Sequence, residues 1–255
     1  MLNALRVDMR RYMTSKAYML LALTASVVYP LFLLIVMKAF SAMMGADYSV
    51  EITEFTAYSS MASIFLAVLV TEFLHGEVGE GIVRNKIISG KRKSQVFLSY
   101  CIVNMFLAAF LQIVSVLVTR VAAFCLGLEV LVPVADLLRL TTVTAFAGVA
   151  ISIFYTALYL CFCTSKIAIA LPTVVSVAIR ILMIFVLDAL YPASGVPKAS
   201  GFTLKLFVGL DRFVAFFHLN GFPHWDNISY LIGNVTLIAV SLGTGLLIFT
   251  NKDLK

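Results

Sequence analysis

The stretch from Gly79 to Ser94, GEGIVRNKIISGKRKS, is the most polar in the chain and holds the residue types that cradle phosphate: glycines, a Gly-Lys pair and a serine. A P-loop needs Gly-x-x-x-x-Gly-Lys followed by Ser or Thr, so that backbone amides wrap the phosphates and a hydroxyl holds magnesium. Here Gly90-Lys91 is followed by Arg92, and Asn85 stands where the first glycine must be. Gly76, Gly79 and Gly81 miss the dinucleotide spacing as well. His218 and His224 lie six apart across a Gly-Phe-Pro turn, a poor metal pair and better read as interfacial polar residues beside Trp225. Asp188 has no second aspartate at membrane depth, and no Ser–His pairing is visible, so an intramembrane enzyme lacks its catalytic pair. Cys101, Cys125, Cys161 and Cys163 sit in or beside apolar runs without metal-ligand spacing and read as small packing residues. The chain is therefore expected to be no enzyme, with no catalytic residue, no metal and no nucleotide site of its own.

The elements that position these groups are apolar. Of 255 residues, 62% are hydrophobic and 13% charged, and the mean hydropathy is +1.02. A soluble domain carries about a quarter charged residues, so this chain lacks the polar surface to cover a water-facing globule. Six apolar runs have the length a bilayer demands, about 20 residues across roughly 30 Å. They cover residues 17–37, 55–71, 96–119, 140–163, 167–187 and 228–250. The runs are continuous rather than alternating, which favours helices whose backbone groups are satisfied internally. The expected fold is an all-α polytopic membrane protein with six transmembrane helices, formed from one transmembrane domain over residues 1–255.

Lysine and arginine placement orients it. Basic residues concentrate before the first run, between the second and third, at Lys166 and in the tail with Lys252 and Lys255; acids such as Asp47, Glu51, Glu129 and Asp188 fall in the other connections. The positive-inside bias puts both termini in the cytoplasm, N-in/C-in, in the cell (cytoplasmic) membrane. The basic stretch before residue 17 fits a signal n-region, but the apolar run is too long for a cleaved h-region, so an uncleaved first span is expected.

Residues 1–16 predict a short amphipathic surface helix, with Leu2, Leu5, Met9 and Tyr12 on one stripe and Arg6, Arg10 and Arg11 on other faces. An ordinary topogenic flank explains the charges equally well. Between spans two and three, residues 72–95 place Glu72, Glu77 and Glu80 early and Arg84, Lys86, Lys91, Arg92 and Lys93 late, the order that complements a helix dipole. One or two short helices broken at Gly90 are expected. Apolar Ile82, Val83, Ile87 and Ile88 interleave with the charges, a face that suits docking into a groove on another protein. Residues 188–227 form a long external connection; FTLKLFVGLDRFVAFFHL is too charged for a seventh span and too apolar for a free loop, so a helix or re-entrant hairpin at the outer boundary is expected, turned back by NGFPHW. Pro30 and Pro172 should kink or open their spans, and GVAIS and SLGTG allow close helix approach. Arg180 lies deep in the fifth run, where a charge costs at least about 2.5 kcal/mol on insertion scales. A pathway or subunit-interface charge and an arginine bonded to a neighbouring span, or snorkelling, both fit.

The segment GIVRNKIISGKRKSQVFLS resembles the stretch after the second span in ABC-2 type transporter permeases, where a Gly-Thr-hydrophobic-Arg-Asn start leads through a Ser-Gly-basic turn into the third span. The matching positions are Gly81, Arg84, Asn85, Lys86, Ser89, Gly90, Lys91 and Arg92; Ile82 stands where the family commonly has threonine. The start RRYMTSKAYMLL and the close FTNKDLK are also similar to the family. The resemblance implies the membrane subunit of an ATP-driven exporter, two permeases side by side, as a homodimer or with a related permease, above two copies of a separate ATP-binding subunit. It implies that residues 72–95 are a coupling helix resting in a cleft of that ATPase, with Glu77, Glu80, Gly81, Arg84, Asn85, Lys86, Ser89, Gly90, Lys91 and Arg92 at the contact. It implies a re-entrant lid before span six. ATP and Mg would be held by the partner and no cofactor by this chain. The phenylalanine-rich spans, with 20 Phe, suit a hydrophobic or amphipathic cargo, and the likeness to small permeases points to peptide; drugs, lipids or ions are alternatives. A non-transporting adaptor or immunity protein is the rival class. Membrane lipid surrounds the chain, and no nucleic-acid partner is expected.

Overall fold

The computed structural model describes residues 2–45, 47–163, 167–192, 197–220 and 227–252. Lys166, Lys255, His224, Trp225 and the NGFPHW turn from Gly221 onward, all used in the sequence reading, lie outside the described residues. In chain order, α1 (Leu2–Thr14) leads into α2 (Lys16–Leu23), a π-helical turn (Thr24–Val28) and α3 (Tyr29–Met43). Next come β1 (Ser49–Val50), α4 (Ile52–Phe55), α5 (Ala57–Gly79), α6 (Ile82–Ile88) and α7 (Lys93–Cys125). Then follow β2 (Glu129–Val130), α8 (Val134–Phe162), α9 (Ile167–Leu190), α10 (Gly201–Phe213), a 3-10 turn (Phe217–Asn220) and α11 (Asn227–Asn251). Six helical stretches among the described residues are long and apolar enough to cross a membrane: Tyr18–Met43, Ser59–Gly79, Lys93–Cys125, Val134–Phe162, Ile167–Leu190 and Ile228–Asn251. The chain is an all-α polytopic membrane protein.

The centre is α5, α7 and α8, which pack on one another, with α11 and α9 laid against α8 and α5. One face of α7 carries Asn104, Gln112, Ser115 and Thr119, all buried. Interhelical hydrogen bonds tie this face to its neighbours: Gln112 Nε2 donates to Ser59 Oγ at 2.6 Å and Asn104 Nδ2 to Thr156 Oγ1 at 2.7 Å. Phe32, Phe106, Phe110 and Phe185 are instead well exposed on the flanks, as lipid-facing side chains must be. In the SLGTG segment, a Cβ on Gly245 would meet Phe97 Cζ at 2.5 Å and Ala157 Cβ at 2.9 Å, so α11 approaches α7 and α8 closely through that glycine.

Lysines close the helix ends. Lys93 donates to the carbonyls of Thr250 at 3.1 Å and Lys252 at 2.6 Å; Lys252 reaches the Cys161 carbonyl at 2.6 Å, and Lys38 the Leu126 carbonyl at 2.8 Å. Each satisfies carbonyls that a helix C-terminus leaves without partners. The Lys93 and Lys252 contacts gather the start of α7, the end of α8 and the end of α11 at one end of the bundle, where α1 and α6 are also tied to α7. At the opposite end, β1 and β2 pair in parallel, Ser49 with Glu129 and Val50 with Val130.

Several expected boundaries shift. The second span does not stop at residue 71; α5 continues through Glu72 and Glu77 to Gly79, because the Glu77 charge is neutralised inside the fold. Of the one or two short helices expected around Gly90, one forms: α6 lies between Gly81 (φ 71°) and Gly90 (φ 89°), and the third span begins at Lys93 rather than at residue 96. Pro30, which has no N–H to donate, sits in the first turn of α3 and the π-helical turn precedes it directly. In α9 the helix runs unbroken through Pro172.

After α9, α10 packs against α11 and α9, and the following turn packs against α8 and α5, burying Ala215 to Leu219. Phe216 meets Phe154 and Tyr155 of α8 with ring centroids 5.8 and 6.0 Å away. Near the start of α11, the Tyr230 hydroxyl donates to the Val143 carbonyl. Eleven residues of helix separate Val143 from Phe154, so the chain between α10 and α11 reaches about 16 Å further along α8 than the start of α11.

Candidate functional site: an ionic node behind an exposed connector helix

α6 begins where Gly81 adopts a left-handed conformation at the end of α5, a position that side-chain-bearing residues occupy at a cost of about 1–2 kcal/mol. It ends in a Schellman motif. The Gly90 N–H donates to the Ile87 carbonyl at 3.0 Å and the Lys91 N–H to the Lys86 carbonyl at 3.2 Å, with Gly90 supplying the positive φ. Both ends of this seven-residue helix are thus set by backbone geometry that glycine permits.

The helix has two faces. Val83 and Lys86 are buried, and Ile87 is partly so. Arg84, Asn85 and Ile88 point away from the bundle, followed by exposed Ser89, Gly90 and Arg92. Ile88 is 72% exposed, one turn after exposed Arg84 on the same helix. That outer face is a surface with no partner among the described residues of its own chain.

Behind it, Lys86 Nζ donates to Asp8 Oδ1 at 2.6 Å, to Glu77 Oε2 at 3.0 Å and to the Tyr100 hydroxyl at 2.8 Å. The Tyr100 hydroxyl donates onward to Glu77 Oε2 at 2.7 Å, and Lys86 Nζ sits 4.3 Å from the centre of the Tyr100 ring. Arg11 adds a contact to Glu77 Oε1 at 3.4 Å from the surface side. Asp8 is 0% exposed, Glu77 4% and Lys86 9%, so the node is removed from water. Two carboxylates and two cations balance, and the four members come from α1, α5 and α6, with α7 providing the tyrosine. Asp8, Arg11 and Tyr12 share one face of α1 at spacings of three and four. Tyr12 stacks on Phe73 at 3.5 Å between centroids and its hydroxyl donates to Asn104. Burial pushes the Tyr12 phenol well above its ordinary value, and the Glu77 and Asp8 charges add to that, so it remains a donor at every physiological pH.

The residues singled out in the sequence divide accordingly. Arg84, Asn85, Ser89, Gly90, Arg92, Glu80, Arg6 and Arg10 are exposed at this end, while Lys91 and Gly81 are half-buried. Glu77 and Lys86, also expected at a contact with a partner, lie buried within this chain, each neutralising the other in a pocket that α1 covers. Asp8, Tyr12 and Tyr100 join the site unforeseen; the available signal was one acid among the bases of the first helix, in register with its apolar stripe. Arg180, half-buried in α9, does not join the node and interacts with Tyr29 of α3. Its helix-mate Asp188 pairs with Lys198 at 2.7 Å at the far end. His218 is not open to a metal: its Nε2 meets the Arg212 carbonyl at 3.0 Å and its Nδ1 meets Asn234 Nδ2 at 3.1 Å.

Comparison with protein-family models and with curated proteins found no match to this chain.

Proposed function

We propose that this chain is the permease subunit of an ATP-driven exporter of the ABC-2 kind, with both termini in the cytoplasm and a separate ATP-binding subunit docked on the outer face of α6. The observation that carries the reading is the two-sided connector. A short helix held between two positive-φ glycines offers Arg84, Asn85, Ile88 and Arg92 outward, while Lys86 on its inner face is bonded to the surface helix and to two spans. A push on such a helix moves α1, the end of α5 and the start of α7 together, because separating them would strand buried charges at about 3–5 kcal/mol for each broken partner. In the partner, ATP and Mg would drive closure of two ATP-binding subunits beneath two permeases. In this chain, the work is transmission and gating. The segment buried against Phe154 and Tyr155 from the far end would serve as the exit lid, and the apolar flanks would admit a hydrophobic or amphipathic cargo, peptide foremost.

The test is co-purification with ABC ATP-binding subunits from the same genome. The native chain is expected to retain one of them and to stimulate its ATP hydrolysis, whereas Arg84→Ala with Arg92→Ala loses both. Unchanged association and stimulation in the double variant would remove the docking face from the account. Retention of the ATPase without any response to candidate cargo would favour the adaptor reading.

A further inference from the structure

A cavity of about 480 Å³ opens between the first span and α7. Along α7 it runs from Val103 to Val114, eleven residues of helix or about 16 Å. That is about half of the roughly 30 Å hydrocarbon core, the depth of one leaflet. It starts at the level of α1, where Met9 and Tyr12 line its end and Tyr12 bonds to Asn104, the neighbour of Val103. Leu23, Phe106 and Phe110 at its rim are half exposed or more, so it is open sideways to lipid. Its wall offers little to a polar guest: Asn104 engages the Tyr12 hydroxyl, and Ser26 Oγ donates to the Ala22 carbonyl at 2.8 Å.

The mouth sets this groove apart from an ordinary lipid-facing seam. Arg6 lies three residues before Met9 on α1, and Lys16 three residues before Met19 on α2, so each cation stands one turn from a residue of the wall on the same helix face. Both are exposed, and neither has an ion-pair partner among the described residues. Arg10 is a further exposed cation beside Met9. Residues 2–23 hold one acid, Asp8, and it is buried and bonded to Lys86. No carboxylate of α1 or α2 therefore compensates the mouth. Hydrocarbon depth for one chain, with cations at its open end, complements a phospholipid with an anionic head. A second copy of this chain fits worse. A spanning helix needs the full core rather than half of it, and the copy would bring its own cations to the same level.

We propose that the groove between α2 and α7 holds one acyl chain of an anionic glycerophospholipid whose phosphate is bound by Arg6 and Lys16. The lipid sits under α1, which Asp8 ties to α6 through Lys86, so the site links the charge of the leaflet to the connector helix. The inference does not rest on the exporter reading, since binding requires neither ATP nor a partner subunit.

The test adds equimolar dioleoyl phosphatidylglycerol and dioleoyl phosphatidylcholine to the delipidated full chain in nonionic detergent and reads retained lipid by native mass spectrometry. The chain is expected to keep phosphatidylglycerol in about tenfold preference, because each cation beside an anionic head contributes roughly fivefold and salt screens part of it. Arg6→Gln with Lys16→Gln is expected to bring the preference close to unity and to leave the melting profile in place, as both side chains are exposed. Met19→Trp, or Leu23→Trp at the more exposed rim, fills the groove and is expected to reduce retention of both lipids. Excess glycerol phosphate, the head without its chains, should displace neither. Equal retention of the two lipids, an unchanged preference in the double glutamine variant, or undiminished retention in both tryptophan variants would each overturn the proposal. So would displacement by glycerol phosphate, or cross-linking of Phe106→Cys to a second copy that closes the groove. Failure here leaves the docking of α6 standing, and failure of that docking leaves this binding intact.

Discussion

Replacing Lys86 by methionine keeps the length of the side chain and removes its charge. Asp8 and Glu77 then remain buried at 0% and 4% exposure with only Arg11, 43% exposed, left to compensate them. Removing one partner of a buried pair costs about 3–5 kcal/mol, because the surviving charge has neither water nor counterion. Lys86 serves two carboxylates and a tyrosine, so the upper part of that range applies. For a domain of this size, each kcal/mol moves the melting temperature by about 2–4 °C, so Lys86→Met is expected to melt some 8–20 °C below the native chain. The assay is a thiol-dye melt in detergent, reporting through Cys101, which is free and 1% exposed in α7. Added salt should not reproduce the loss, since buried pairs are poorly screened. The triple variant Asp8→Asn, Glu77→Gln, Lys86→Met removes every stranded charge and is expected to recover more than half of the deficit, as neutral replacements of buried ion clusters do. A single variant melting within about 2 °C of the native chain, or a triple variant as poor as the three single losses added together, would refute the reasoning.

Two further outcomes follow from local geometry. A Cβ on Gly233 would lie 2.2 Å from the carbonyl oxygen of Phe213, so Gly233→Ala must push α10 away from α11 and is expected to cost about 1–3 kcal/mol, whereas Gly209→Ala, with nothing within 4 Å, should be neutral or slightly stabilising in the same thiol-dye melt. Burial lowers the pKa of His218 from 6.5 to about 4, opposed in part by the Arg212 carbonyl that its ring N–H meets. The native state therefore holds the ring neutral while the unfolded chain protonates it below pH 6.5, and this contribution is complete above that pH and lost as pH falls toward 4. Between pH 7.5 and 5 the loss is about 2 kcal/mol, and His218→Gln should flatten that part of the pH–melting curve; an equally steep curve in the variant would locate the pH sensitivity elsewhere.

The spans were legible because hydropathy alone separates lipid-facing runs from connections, and each of the six expected runs overlaps one long helix. The ends were not, since they depend on charges whose fate is tertiary. Glu72 read as the close of the second span and Glu77 as part of the connector, yet the helix continues past both because Lys86, in the next element, neutralises Glu77. Lys93 read as part of the basic connector and instead opens α7, its ammonium satisfying carbonyls at the end of α11. Gly90 could be placed as a break, but only the backbone shows that one helix precedes it and that Gly81 opens that helix. The node was illegible for a plainer reason: residues 8, 77, 86 and 100 are brought together by packing, and a hydropathy pattern carries no information on which charges pair. Asp8 in a helix otherwise basic was the one clue, and a lone acid in such a helix has many readings.

The central claim is that the outer face of α6 meets an ATP-binding partner while its inner face is locked to the surface helix. It is tested most directly by placing a photocrosslinking amino acid at Ile88, and separately at the inward Ile87, in native membranes. The account predicts a crosslink from position 88 to a polypeptide that bears a P-loop and hydrolyses ATP, and none from position 87. No such product from position 88, or equal products from both positions, would contradict it.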